Sequence, residues 1–130
     1  MQRLLVVEDE KRIAERYKSF LREQGYEAHV CADAVGAYDF IKENPVDLVL
    51  LDINLDQVCG DELYRVLHMF FRDVKVLVSS VHCVEEQKRR IPDAAGYFDK
   101  AEGIRVLLCR IREILGPVIS PGTEIPIDST

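Results

Sequence analysis

Glu8, Asp9, Asp52, Ser79 and Lys100 are the residues of this chain best suited to chemistry, and all five follow short apolar stretches. The run LLVV leads to Glu8-Asp9, LVLL to Asp52, VLV to Ser79, and the Tyr97-Phe98 pair to Asp99-Lys100. In an open parallel sheet, ligands bind outside the carboxyl ends of the strands. One acid at such an end is usually just a solvated residue. Four reactive endings on one edge are a coincidence that asks for an explanation. Three carboxylates held a few ångströms apart repel one another, and their pKa values rise unless a cation sits between them. Mg²⁺ suits oxygen-only ligation and typically bridges one or two carboxylates to a phosphoryl oxygen. Asp52 would then act as the nucleophile of an aspartyl phosphate. Lys100 would neutralise the incoming group as a point charge, and Ser79 would donate a hydroxyl hydrogen bond to it. Charge stabilisation and in-line positioning are most of what phosphoryl transfer asks of a protein.

Elements that could bring these residues together can be read from the hydrophobic pattern. Leu4-Leu5-Val6-Val7 is a continuous apolar run, as expected of a strand buried on both faces. A helix is predicted over 10–24, with Ile13, Tyr17, Phe20 and Leu21 on one stripe and Gly25 placed to stop it. Residues 26–31 read as an edge strand and 34–43 as a second helix, closed off by Asn44-Pro45. The clearest strand covers 46–51 and ends on Asp52; a loop containing Gly60 leads into a helix over 61–71. A fourth strand over 74–78 ends at Ser79-Ser80, and strand alternation favours Ser79 as the hydroxyl at the site. Pro92 limits the next helix, over 84–90, and a fifth strand at Tyr97-Phe98 ends in Asp99-Lys100 before a last helix over 102–115. Strands alternating with helices imply an α/β fold: a parallel sheet covered on both faces. After Gly116 the texture changes; Pro117, Pro121, Gly122 and Pro126 mark 117–130 as a tail or linker, leaving 1–116 as one domain.

Bulk properties exclude several classes. A chain of 130 residues suits one compact domain. The net charge of −6, with Lys and Arg scattered among acids, argues against direct nucleic-acid binding. No apolar run reaches the roughly 20 residues of a membrane span, and the start through Glu8-Asp9 does not read as a signal peptide. Cys31, Cys59, Cys83 and Cys109 lack C-x-x-C spacing and, with no export signal, read as reduced thiols of a cytoplasmic protein. His29, His68 and His82 form no zinc pattern.

The segments LLVVEDE, LVLLDINL, VLVSS and GYFDK, in this order, make residues 3 to about 115 resemble the receiver domain of two-component response regulators. That resemblance implies a flavodoxin-like, doubly wound five-stranded parallel sheet in the order 2-1-3-4-5, with five helices. It implies that Glu8 and Asp9 hold Mg²⁺ together with Asp52 and the backbone carbonyl of Asn54. Asp52 would accept a phosphoryl group from a sensor histidine kinase or phosphotransfer protein. Ser79 would move toward that group, Lys100 would neutralise it, and Tyr97 would be the aromatic switch of an output surface built from the fourth helix, fifth strand and fifth helix. The domain would be a switch rather than an enzyme, catalysing only its own phosphotransfer and dephosphorylation, with a homodimer on phosphorylation left open.

Departures from the family pattern carry expectations of their own. Asp56 stands where a proline is usual, and Ala101 follows Lys100 where relatives have a cis-proline, so a trans peptide is expected there. The Ser79-to-Lys100 interval is about one residue short, which predicts a brief fourth helix. Two other readings compete: a pseudo-receiver that keeps the fold but ignores phosphorylation, and a phosphatase with an aspartyl nucleophile. The phosphatase would need a second carboxylate two residues past Asp52, where Asn54 stands instead.

Overall fold

The computed structural model describes residues 1–53 and 60–116. Strands and helices alternate along the chain: β1 (Arg3–Val7), α1 (Lys11–Glu23), β2 (Glu27–Cys31), α2 (Ala34–Glu43), β3 (Leu48–Asp52), α3 (Gly60–Phe70), β4 (Lys75–Ser80), α4 (Val84–Arg90), β5 (Gly96–Asp99), a 3₁₀ turn (Lys100–Glu102) and α5 (Ile104–Leu115). The strands form one parallel sheet in the order β2-β1-β3-β4-β5, the expected doubly wound arrangement. Strand order reverses between β1 and β3, so the crevice of this sheet lies where those two strands end.

Apolar residues on both faces of the central strands explain why helices cover the sheet on both sides. β3 is buried at every position, as a strand needs to be when both of its faces are packed. Leu4, Val6, Leu48, Leu50 and Leu77 face Tyr17 and Leu21 of α1 and Leu107 and Ile111 of α5. Leu5, Val7, Val49, Leu51, Val76 and Val78 face Ala37 and Ile41 of α2 and Leu63 and Leu67 of α3. Burying each such side chain is worth roughly 1.5–3 kcal/mol, so the two apolar layers dominate the stability of the domain.

Helix ends follow local chemistry. Asp33 caps α2 by accepting from the backbone N–H of Gly36 at 2.7 Å. The turn after α1 uses Gly25 at φ 98°, a conformation that costs glycine little. A second positive φ, 94° at Gly103, splits the helix expected over 102–115. Ahead of the break, Asp99 and Glu102 form a capping box around the 3₁₀ turn. Lys100 therefore opens that turn instead of ending β5. α4 is as brief as the sequence predicts, seven residues. No peptide bond among the described residues is cis, so Ala101 follows Lys100 through a trans bond. Among the described residues no helix is long and apolar enough to cross a membrane. Asn54, Asp56 and the tail over 117–130 lie outside the described residues.

Leu50 sits between β1 and β4, 2% exposed. Leu50→Ala is expected to lower the unfolding free energy by about 3 kcal/mol, read as a lower urea midpoint at an unchanged m-value.

Candidate functional site

Parallel pairing aligns the reactive residues in one row. β1 pairs Val7 with Leu51, which puts Glu8 level with Asp52; β3 pairs Asp52 with Ser79, and β4 pairs Ser79 with Phe98. Strand side chains alternate between faces, so this row shares the face of Val6, Leu50 and Leu77, one step further along the strands. Lys100, two residues past Phe98, reaches back over the same edge. Its ammonium lies 2.7 Å from Glu8 Oε1 and 3.2 Å from Asp52 Oδ2. Glu8 and Asp52 are each 4% exposed, and Asp9 is half-buried. Carboxylate oxygens of Glu8, Asp9 and Asp52 lie within 4.8 Å of one another. All three ligand groups are oxygen donors, which suits a hard divalent cation such as Mg²⁺.

This crowding has an electrostatic signature. Burial, reinforced by the negative charge of Asp52, raises the pKa of Glu8 to about 7, against the lowering pull of its bond to Lys100. For Lys100, burial works against the charged form, but the hydrogen bond to Glu8 and the charges of Asp52 and Glu8 outweigh it and raise the pKa. The ammonium is thus a fixed positive charge held against two buried carboxyl groups.

Ser79 and Ser80 part company at this edge. Ser79 Oγ is buried on the Asp52 face and has no hydrogen-bond partner among the described residues. A buried hydroxyl normally finds one, so this one has a hydrogen bond to spare for a group arriving at Asp52. Ser80 points to the opposite face, and its Oγ accepts from the backbone N–H of His82 at 3.1 Å. Tyr97 is not brought to the carboxylates. It pairs with Val78 and packs half-buried on the α2–α3 face. There its hydroxyl donates to the Ile91 carbonyl and accepts from the backbone N–H of Ala94 at 3.2 Å. Tyr97 is therefore anchored to the connection between α4 and β5.

Sequence reasoning missed Gln87. It is the one fully buried residue of α4, and its carboxamide joins the β4–α4 loop to β5. The only sequence signal is a neutral amide set within the charged run VEEQKRR. A separate apolar groove of about 440 Å³ between α2 and α3, lined by Val35, Tyr38, Leu63 and Phe70 among others, contains none of the site residues.

Comparison with known proteins places the sequence and fold in one family. A family profile described as "Response regulator receiver domain" matches residues 4–112. The regulatory protein VanRB of Enterococcus faecalis is 34% identical over 115 residues, which is 87% of this chain and 52% of that protein. The response regulator MprA of a Mycobacterium species is 30% identical over 87% of this chain and 50% of its own length. This chain thus spans about half the length of these relatives. Among solved structures, the response regulator protein TrrA of Thermotoga maritima, in complex with Mg(2+)-BeF, superposes with a TM-score of 0.81 at 26% identity, covering 88% of this chain and 99% of that one.

Removing the ammonium takes away the cation that both buried carboxyl groups contact. Lys100→Met should destabilise the cation-free protein by about 3 kcal/mol, the low end of such costs because Glu8 can take up a proton. Urea unfolding at pH 7.5 in EDTA measures it.

Proposed function

This chain belongs to the response regulator receiver domain family, and we propose that it is a phosphorylation-controlled switch that receives its phosphoryl group on Asp52. The observation that carries this reading is the convergence at one sheet edge. Three carboxylates, a lysine bridging two of them and a buried hydroxyl with no partner among the described residues come together from four separate segments of the chain. The donor would be the phosphohistidine of a sensor histidine kinase or phosphotransfer protein. An Asp52 carboxylate oxygen forms the new O–P bond as the N–P bond to the donor imidazole breaks, and the imidazole leaves as the neutral base after taking up a proton. Lys100 neutralises charge on the transferred group, and Ser79 Oγ donates to one of its oxygens.

Glu8, Asp9 and Asp52, with the backbone carbonyl of Asn54, would hold Mg²⁺, which when bound supplies charge neutralisation for the phosphoryl oxygens. Receiver domains are signalling domains, and the chemistry assigned to this one is limited to its own phosphotransfer and dephosphorylation. Repositioning of Ser79 and Tyr97 then alters the surface of α4, β5 and α5 for a partner or a second copy. Residues 117–130 are read as a linker or arm outside this switch, and the site of action as the cytoplasm.

Incubation with acetyl phosphate and Mg²⁺ should produce one acid-stable, base-labile phosphoryl adduct, absent in Asp52→Asn and in EDTA. Adduct formation that persists in Asp52→Asn, followed by intact-protein mass spectrometry, overturns the assignment. Asp9→Asn should raise the Mg²⁺ concentration needed for half-maximal adduct formation about tenfold, since it removes one of the carboxylates that would hold the ion.

A further inference from the structure

We propose that Gln87 is a positioning residue that latches the Ser79-bearing segment in its resting place and so opposes capture of the phosphoryl group; this rests on the phosphoacceptor reading of Asp52. Gln87 is 0% exposed in a helix of seven residues. Its Nε2 donates to the His82 carbonyl at 2.9 Å and to the Phe98 carbonyl at 2.8 Å. Both partners can only accept, which fixes the orientation of the amide. Its Oε1 has no partner among the described residues.

The two carbonyls belong to the two segments that flank the site. Phe98 is level with Ser79 in the sheet and two residues from Lys100. His82 lies three residues past Ser79, and the bond from its N–H to Ser80 Oγ stiffens the intervening stretch. Ser79 Oγ has no hydrogen-bond partner at rest among the described residues, and in the proposed switch it gains one by moving toward a group on Asp52. Such a shift carries the His82 carbonyl with it and pulls against the Gln87 amide. A residue serving only to fill space here would be apolar, because a buried carboxamide with an unsatisfied oxygen bears a desolvation cost. The amide instead contributes two directional bonds across the moving joint. Capture of a phosphoryl group therefore proceeds against the His82–Gln87 bond, and the strength of that bond sets part of the balance between resting and activated forms.

Gln87→Met keeps the length and helix propensity of the side chain but removes both donors. Binding of beryllofluoride with Mg²⁺ to the full chain, followed by ¹⁹F NMR, should show a midpoint about fivefold lower in the variant, as expected for loss of one typical hydrogen bond opposing the change. A midpoint that is unchanged or higher overturns the latch while leaving the phosphoacceptor assignment standing. Failure of both proteins to bind beryllofluoride overturns the assignment of Asp52 and the latch with it. A measurement on the wild type stands apart from the variant's folding: the Gln87 carboxamide protons should exchange slowly at rest and faster at saturating beryllofluoride. Protection that survives saturation also overturns the latch.

Discussion

Parallel strand pairing is the constraint on which everything else in this domain depends. Because β1, β3 and β4 run in register, Glu8, Asp52 and Ser79 come level on one face. The rows beneath, Val6 with Leu50 and Leu77, and Leu4 with Leu48, hold that register by their burial. A slip of one residue would turn every side chain of a strand to the opposite face. It would mismatch the apolar layers on the two faces and carry Asp52 away from Glu8. The apolar core therefore does more than stabilise the fold. It sets the distances between carboxylates that would otherwise separate.

Holding those acids together is costly, and the structure shows how the cost is contained. Buried like charges are tolerable only when paired, and Lys100 supplies the pairing through two short contacts. Burial still raises the pKa of Glu8 despite its bond to Lys100. Buried, perturbed charge of this kind is common at functional sites.

The region that follows β4 is built differently. α4 is short, buries a single residue of its own, and is tied down by polar contacts: the Gln87 amide, the Tyr97 hydroxyl on Ile91, and a bidentate pair between Arg90 and Asp61. Segments with few buried apolar contacts are the ones that open at low cost. Directional bonds also switch between discrete partners more readily than a packed core does. The segment between β4 and β5 thus has the character of a movable part set on a rigid sheet.

Much of this was legible in the amino-acid order. Hydrophobic patterning and breaker residues marked the strands and helices, and the placement of Glu8, Asp9, Asp52, Ser79 and Lys100 just after apolar runs announced a shared edge. Periodicity and strand-end placement are local properties, written in adjacent residues and readable without coordinates. Other features depend on residues far apart in the chain. Whether Ser79 or Ser80 faces Asp52 was settled by pairing across β3 and β4. The bridge from Lys100 to both Glu8 and Asp52 spans 92 and 48 positions, and its setting on a 3₁₀ turn follows from the Gly103 break. Gln87 looked like one more polar residue of a charged helix. It becomes a joint between two segments only because tertiary packing closes α4 over β5 and takes the amide out of water, where its two bonds no longer compete with solvent.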